Sequence, residues 1–201
     1  MTRSTLSSRA ISLVRQQGIS RARDLTACGI PPVIVARLVR DGQLSRLSRG
    51  LYTLPSCVLS ERHQMAEVSS RSPGAVFCLL TALSFHGITT QNPSELWIAL
   101  ANKSRPPRLQ YPPLRTVRFS GPALALGIEM HTIDGVKVPV YSVAKTVVDC
   151  FKFRNKIGLD VALEALKDAW RKKKVSMDDL WESAQLCRMT NVMRPYLECL
   201  E

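Results

Sequence analysis

The sequence contains no apolar run long enough to cross a bilayer. A membrane-spanning helix needs about 20 predominantly apolar residues, and no such stretch occurs among the 201 residues of the chain. The N-terminus also lacks the continuous apolar core of a secretory signal, although Arg3 and Arg9 lie there. We therefore expect a cytoplasmic protein without a membrane partner.

Cysteine and histidine are too scattered to indicate a metal site. None of the six cysteines belongs to a C-x-x-C pair, and the three histidines lie far apart, without a cysteine or carboxylate at ligand spacing. Zinc sites and disulfide frameworks need closer grouping. Most of the cysteines have apolar neighbours, which favours small core residues in a reducing compartment. We expect neither a metal nor another cofactor.

Motifs of catalysis are also missing. The chain has no glycine-rich phosphate loop, no G-x-S-x-G elbow and no D…E-x-K spacing of a nuclease. Nuclease chemistry needs carboxylates grouped around Mg²⁺, whereas Glu129, Asp134 and Asp149 show no such spacing. We therefore expect a protein that is not an enzyme, and the first alternative is a nucleic-acid-processing, nuclease-like enzyme.

Aromatic residues make up only 6% of the chain. Proteins that bind single-stranded nucleic acid stack its bases on exposed aromatic side chains. In the basic stretches only Tyr52 and Tyr111 could serve in this way. Duplex DNA is therefore favoured over RNA, and an RNA-binding or protein-docking module is the second alternative.

What the chain has in excess is positive charge. Its net charge is +12 and its pI is near 9.9, which favours a polyanionic partner. Residues 1–58 contain nine arginines, no lysine and two acids, a net charge of +7. A basic N-terminal segment of this kind is typical of nucleic-acid binding.

The segment Gly29–Leu54 predicts a helix followed by a hairpin. Pro31 and Pro32 fit the start of a helix, because the first turn leaves its N–H groups unpaired in any case. Gly42 fits the end of that helix. Two short strand-like runs then flank the turn Ser48-Arg49-Gly50, where the glycine supplies a positive φ.

Two further helices are predicted upstream, the second of them capped by Ser20. The order of three helices and a basic hairpin predicts a winged helix-turn-helix DNA-binding domain over residues 1–58. The alternative is a small helical scaffold domain whose arginines form only a solvated surface. The side chains predicted to contact DNA are Val33, Arg37, Arg40, Arg46, Ser48, Arg49, Arg21 and Arg23.

Residues 59–201 predict a C-terminal domain of helices packed on a small, mostly antiparallel sheet, so that the fold class of the whole chain is α+β. The pair Asp134-Gly135 between two apolar runs is a strong hairpin signal. Residues 75–86 are apolar nearly all round and predict a buried helix. Ser60 is predicted to cap the helix that precedes it.

Between Glu95 and Glu129 there is no acidic residue, whereas cations accumulate around two Pro-Pro pairs. A stretch so rich in proline cannot be helical, so an extended loop that leads into a strand is predicted. This loop is either a solvated surface or a second basic surface for DNA or an acidic partner. Its cations are Lys103, Arg105, Arg108, Arg115 and Arg118.

Three phrases of the sequence, in this order, resemble a known family: RLSRGLYTLP at 46–55, LLTALSFHGIT at 79–89 and GVKVPVYSVAKTVVDCF at 135–151. The set resembles the AbiEi family of antitoxins, which are the transcriptional-repressor halves of type IV toxin–antitoxin and abortive-infection systems. The resemblance spans most of the chain, and the order of the phrases carries it.

The resemblance implies an N-terminal winged helix that binds double-stranded operator DNA and represses its own operon. It also implies a C-terminal antitoxin domain that counteracts a nucleotidyltransferase-like toxin. Carried over by position, operator contact falls on one helix and one wing, at Val33, Arg37, Arg40, Arg46 and Arg49.

The chain departs from the family's pattern at Ala144-Lys145-Thr146, where other members have arginine at the start of the late helix. No family role is therefore carried over to Lys145 or Asp149. Helical spacing alone predicts that Asp149 pairs with Lys145 or Lys152.

Overall fold

The computed structural model describes residues 5–57, 60–91, 93–109 and 111–200. These residues divide into two compact units. The first unit extends to Pro73 and also includes Thr132–Val138, and the second consists of Gly74–His131 and the residues from Pro139 onward. The predicted domain boundary, between residues 58 and 59, lies outside the described residues.

The described part of the first unit contains four helices and a small antiparallel sheet of three strands. Its elements are α1 (Leu6–Gln17), β1 (Ser20–Arg21), α2 (Ala22–Ala27), α3 (Pro32–Arg40), β2 (Ser45–Ser48), β3 (Leu51–Thr53) and α4 (His63–Arg71). The sheet has the order β1-β3-β2, and both pairings are antiparallel.

The helix predicted after the two prolines is confirmed as α3. Pro31 is its N-cap residue and Pro32 its first helical residue, where a missing N–H removes no helical hydrogen bond. Gly42 follows the C-cap residue with φ +69°. The inner face of α3 carries Leu38 and Val35, which are 1% and 3% exposed.

Seven apolar side chains form the core of the first unit: Ala10, Val14, Leu25, Ile30, Val35, Leu38 and Leu44. Full burial of a valine, leucine or isoleucine side chain contributes about 1.5–3 kcal/mol. The predicted cap at Ser20 is wrong, because this residue is buried in β1, where it pairs with Tyr52. Its hydroxyl donates to Gln17 Oε1 at 2.8 Å, and Arg21 precedes α2 instead.

The hairpin turn Asp134-Gly135, which the sequence predicts, belongs to the first unit. Ile19 N donates to Asp134 O at 3.2 Å, and Ser60 donates to the Asp134 carboxylate through both its N–H and its hydroxyl, each at 3.1 Å. A Cβ atom on Gly18 would lie 2.0 Å from Asp134 O, so only glycine permits this approach. The prediction that Ser60 caps the next helix is therefore wrong, since its polar groups bind Asp134 and α4 begins at His63.

The second unit combines a five-stranded sheet with seven helices among its described residues. Its elements are β4 (Val76–Phe77), α5 (Leu79–His86), β5 (Leu96–Ala101), β6 (Leu114–Phe119), α6 (Pro122–Ala125), β7 (Ile128–Ile133), β8 (Val136–Tyr141), α7 (Val143–Lys152), α8 (Arg154–Ile157), α9 (Leu159–Arg171), α10 (Met177–Leu186) and α11 (Thr190–Leu197). The ends of β7 and β8 next to their turn lie in the first unit.

The α+β class is confirmed, but the larger sheet is mixed where a mostly antiparallel sheet was predicted. Its order is β6-β5-β4-β8-β7. The β4–β5 pairing is antiparallel, whereas β5–β6 and β4–β8 are parallel. The difference arises because long connections join the partners of the parallel pairs, and such connections allow strands to run in the same direction.

The prediction of one helix over the apolar run 75–86 is wrong. Val76 and Phe77 form strand β4, and the helix starts only at Leu79. A run that is apolar on every side does not separate a buried strand from a buried helix by its periodicity. The β-branched and aromatic pair at its start favours the strand. Within the described ranges, no helix is both long and apolar enough to cross a membrane.

Candidate nucleic-acid interface

One face of α3 is exposed and carries two arginines and one apolar side chain. Val33 is 74% exposed, and both Arg37 and Arg40 are exposed. Arg40 Nε lies 3.6 Å from Asp41 Oδ1, with 78% of the arginine side chain exposed. An ion pair this exposed contributes about 0–1 kcal/mol, so a phosphate could readily replace it.

Arg37 is held by a neutral partner. Its Nη2 donates to Ser7 Oγ at 2.9 Å, and Ser7 lies in the first turn of α1. A hydrogen bond of this kind contributes about 0.5–1.5 kcal/mol and leaves the positive charge uncompensated. The bond therefore orients the guanidinium without neutralising it.

The hairpin of β2 and β3 carries two further exposed cations. Arg46 and Arg49 are exposed, and Arg46 Nε donates to Ser48 O at 3.4 Å. Ser48 Oγ accepts a hydrogen bond of 2.6 Å from Arg71 Nη2. Gly50 adopts φ +78°, as predicted for the tight turn. Among the described residues, no carboxylate lies within ion-pair distance of Arg49.

Arg21 and Arg23 differ in how far the fold already engages them. Arg21 Nε donates to Asp24 Oδ2 at 2.6 Å, and its Nη1 donates to Ser70 O at 2.8 Å. Arg23 is 67% exposed, and its Nε lies 3.6 Å from Asp24 Oδ1. Arg21 is thus part of an internal network, whereas Arg23 lies at the surface.

The structure therefore brings most of the predicted set onto α3 and the neighbouring hairpin of one unit. Residues 1–58 contain only two acids, Asp24 and Asp41, and both already lie within ion-pair distance of arginines. Arg3, which contributes to the charge of this segment, lies outside the described residues.

The second predicted surface lies in the second unit and separates into two groups of cations. Arg118 Nη1 donates to Ala101 O at 2.7 Å and to Ser104 O at 2.5 Å, so it holds the start of the loop. Arg115 lies 3.5 Å from Glu95 and 5.1 Å from the centre of the Trp97 ring. The remaining three side chains of the set are exposed: Lys103, Arg105 and Arg108.

A buried ion pair, which spacing alone could not locate in the core, lies in α7. Lys145 Nζ donates to Asp149 Oδ2, and both side chains are 0% exposed. The ammonium lies 4.4 Å from the centre of the Phe119 ring and 4.3 Å from that of Tyr141. Burial raises the pKa of Asp149 to about 6, against the opposing effect of Lys145. With neither group open to solvent, the pair serves the core.

His86, a residue that could be taken for a catalytic base, has a structural environment. Its Nε2 lies 2.7 Å from Tyr141 O, and burial lowers the pKa of its ring. Lys174 donates to His86 O and Lys172 to Gly87 O at 2.9 Å. Two lysines thus bind the last carbonyls of α5, where cations stabilise the helix dipole.

The cysteines offer no activated thiolate in the core. Cys78 and Cys150 are buried, and desolvation raises the pKa of both thiols. Thiolates are the reactive and metal-binding form. Within the part of the chain that the structure describes, no three His, Cys, Asp or Glu side chains come together as metal ligands.

Helices α1 to α3, with exposed arginines on α3 and on the following hairpin, have the arrangement of helix-turn-helix proteins, whose recognition helix binds in the major groove. Residues 8–55 match the family described as "Transcriptional regulator, AbiEi antitoxin". The resemblance to AbiEi antitoxins found in the sequence is confirmed for this N-terminal segment.

Among solved structures, the crystal structure of the RV2827C protein from Mycobacterium tuberculosis is similar to this chain. The TM-score is 0.59 and the sequence identity 16%, over 90% of this chain and 71% of that one. At this identity the likeness concerns the fold alone. No curated protein matches the chain.

Proposed function

We propose that the chain is a DNA-binding transcriptional autorepressor and antitoxin, with a winged helix-turn-helix in its first unit. The observation that carries the proposal is the exposed cationic face of α3 and the hairpin, inside the segment that matches a family of transcriptional regulators. The hairpin is the wing of this motif. Its partner is double-stranded operator DNA.

In this proposal α3 reads bases and the wing binds the backbone. Arg37 lies in the second turn of α3, and an arginine there can donate two hydrogen bonds to a guanine edge. Val33, 74% exposed, is suited to apolar contact with a thymine methyl group. Arg40 and Arg46 flank this face, and Arg49 at the wing turn contacts phosphate.

Three other residues of the predicted set take lesser roles. Arg23 is exposed and can contact phosphate. Arg21 and Ser48 already hold internal hydrogen bonds, to Ser70 O and from Arg71 respectively. We assign them to the support of the wing.

The test is a titration of the full chain with labelled duplex DNA from upstream of its own reading frame, beside a scrambled duplex, at several salt concentrations. Each phosphate neutralised by a cation contributes about 0.9 to the slope of log affinity against log salt. We expect tighter binding to the upstream duplex and a steep slope. Equal binding to both duplexes would argue against operator recognition.

The antitoxin function concerns a nucleotidyltransferase-like toxin and is proposed from the family. If protection does not depend on DNA binding, the pair Arg37→Ala and Arg40→Ala should abolish autorepression and leave protection of cells intact. Reporter expression and survival on induction of the toxin measure the two functions. Loss of both, with the protein folded and abundant, would mean that protection acts through DNA.

We keep a functional division into an N-terminal reader, residues 1–58, and a C-terminal antitoxin domain, residues 59–201. The contacts of α4 and of the Asp134 turn suggest that the reader gains stability from residues beyond 58. A fragment of residues 1–58 should therefore bind duplex DNA with salt sensitivity but unfold at a lower temperature than residues 1–73. Equal binding by residues 59–201 would contradict the division.

We also propose that Lys103, Arg105 and Arg108 form a second basic contact, for DNA or an acidic protein partner. Among the described residues the side chains of these three have no ion pair or hydrogen bond, whereas Arg115 and Arg118, although also exposed, are engaged within the unit. Changing all three to alanine should lower the salt slope of duplex binding if DNA is the partner. An unchanged slope with reduced antitoxicity would identify an acidic protein instead.

A nuclease-like activity is the alternative, and among the described residues no group of three His, Cys, Asp or Glu side chains that could hold Mg²⁺ favours it. We propose that the protein does not cleave nucleic acid. Incubation with labelled DNA and RNA in the presence of Mg²⁺ should leave both intact, and cleavage that a chelator stops would contradict the proposal.

A further inference from the structure

Helix α4, which follows the predicted DNA-contacting segment, binds the turn of the hairpin. Arg71 Nη2 donates to Ser48 Oγ at 2.6 Å and lies 3.4 Å from Glu67 Oε1. The Arg71 side chain is 24% exposed and that of Glu67 14%. The guanidinium is therefore largely withdrawn from solvent and points at the turn.

Two more hydrogen bonds fasten the same region. Arg21 Nη1 donates to Ser70 O, at the C-terminal end of α4, at 2.8 Å. Ala22 N donates to Gly50 O at 2.8 Å. Both residues that flank Arg49 are thus held, Ser48 by α4 and Gly50 by the start of α2.

We propose that Arg71 is a positioning residue for DNA binding, which fixes the turn through Ser48 so that Arg49 meets the DNA backbone. Ser48 is then the acceptor for Arg71 and not a phosphate contact. The inference rests on the proposed function, since it assigns a role within the same wing. A turn fixed before binding loses less conformational freedom when the complex forms.

The exposure of Arg49 differs from that of Arg71, and this difference separates a residue that contacts DNA directly from one that positions the turn. Arg49 is exposed at the turn, whereas most of the Arg71 side chain is covered and its Nη2 is already bonded. A hydrogen bond from a charged donor is stronger than one between neutral groups. The bond to Ser48 is therefore suited to hold the turn in one place.

The experiment uses the full chain and duplex DNA from upstream of its reading frame. Arg71→Met and Ser48→Ala should each weaken binding on the order of five-fold, and in an Arg49→Ala background each should weaken it less than about two-fold, because contacts that act as a unit are not additive. Arg188→Met removes the same charge from an exposed site in the second unit. This control should bind as the unaltered chain does.

Amide hydrogen exchange provides a readout that does not depend on DNA. In Arg71→Met and in Ser48→Ala, the amides of residues 45–53 should exchange faster, while those of the α3 core should keep their protection. Ser48→Ala serves if Arg71→Met does not fold, because it removes only the acceptor from a half-buried site.

Three outcomes would overturn the inference while leaving the proposed function standing. They are additive effects of Arg71→Met and Arg49→Ala, an unchanged affinity of Ser48→Ala, and a further loss of about one phosphate from the salt slope when Arg71→Met is added to Arg49→Ala. The last would make Arg71 itself a phosphate contact. A full chain that binds no duplex would overturn the proposed function and the role in DNA binding with it.

Discussion

Arg37 of α3 and Arg49 of its hairpin differ from three lysines of the second unit in what they are bonded to. Arg37 faces a neutral serine hydroxyl, and Arg49 has no carboxylate partner among the described residues. In the second unit, Lys145 is buried against a carboxylate, and Lys172 and Lys174 bind the carbonyls that end α5. The net charge of a segment therefore overstates the charge that a partner can reach.

The largest effect should come from breaking the buried pair. Lys145→Met leaves the Asp149 carboxylate without its partner in the core, which should reduce the free energy of unfolding by about 3–5 kcal/mol. Urea denaturation measures the loss. Lys152→Met, an exposed lysine on the same helix, is the matched control and should change stability little. Equal stability of the two variants would contradict the expected difference in stabilisation between the buried and the exposed lysine.

The loss caused by Lys145→Met should also grow with pH. Burial raises the pKa of Asp149 to about 6 from an ordinary 3.8, and Lys145 opposes the rise, so the variant's pKa should be higher still. Between the unfolded and folded pKa values, the folded state binds a proton that the unfolded state lacks, and stability falls as pH rises. In the variant the free energy of unfolding continues to fall above about pH 6, by roughly 1.4 kcal/mol per pH unit. An equal loss of stability on Lys145→Met at about pH 5 and at about pH 7.5 would contradict this prediction.

An intermediate effect should come from Arg37 on α3. Arg37→Ala should remove about 1–3 kcal/mol of discrimination between operator and scrambled duplexes, the value of a bidentate contact to guanine. Titrations with both duplexes measure it. Equal weakening on both would make Arg37 a phosphate contact and place α3 differently in the groove.

A smaller and less specific effect is expected for Arg49 at the wing turn. Arg49→Ala should weaken both duplexes alike and reduce the salt slope by about 0.9, the contribution of one phosphate. The same titrations, repeated over a range of salt concentrations, test this. A loss confined to the operator would instead assign base reading to the wing.

The smallest effect should come from the two lysines at the end of α5. Lys172→Met and Lys174→Met should each reduce the free energy of unfolding by about 0.3–1 kcal/mol, because each removes one cation from a helix C-terminus. Neither should alter duplex binding. A binding defect as large as that of Arg49→Ala would show that these cations are available to DNA after all.

Much of the first unit could be predicted because its signals are local. Pro31, Pro32 and Gly42 mark the ends of α3 through their own backbone chemistry. The cap at Ser20 was predicted wrongly, because the pairing of β1 with β3 is a contact distant in sequence and overrides a local preference. Tertiary context often decides in this way.

The burial of Lys145 could not be predicted, although its spacing from Asp149 correctly suggested the pair. Its surroundings come from three elements, with Phe119 in β6 and Tyr141 in β8 beside the ammonium. The hydrogen bond from Arg71 to Ser48 could not be predicted from the sequence either, since each of these residue types is typical of a solvated surface.

The close approach of Gly18 to the Asp134 turn bears on how the protein is synthesised. Ile19 N donates a hydrogen bond to Asp134 O, in a turn more than a hundred residues later in the chain. A ribosome adds about 5–20 residues per second, so several seconds separate the synthesis of α3 from that of the turn that completes its unit. During that interval the first unit of the nascent chain lacks its contacts with this turn, and the unit gains its full stability only once the central hairpin has left the exit tunnel.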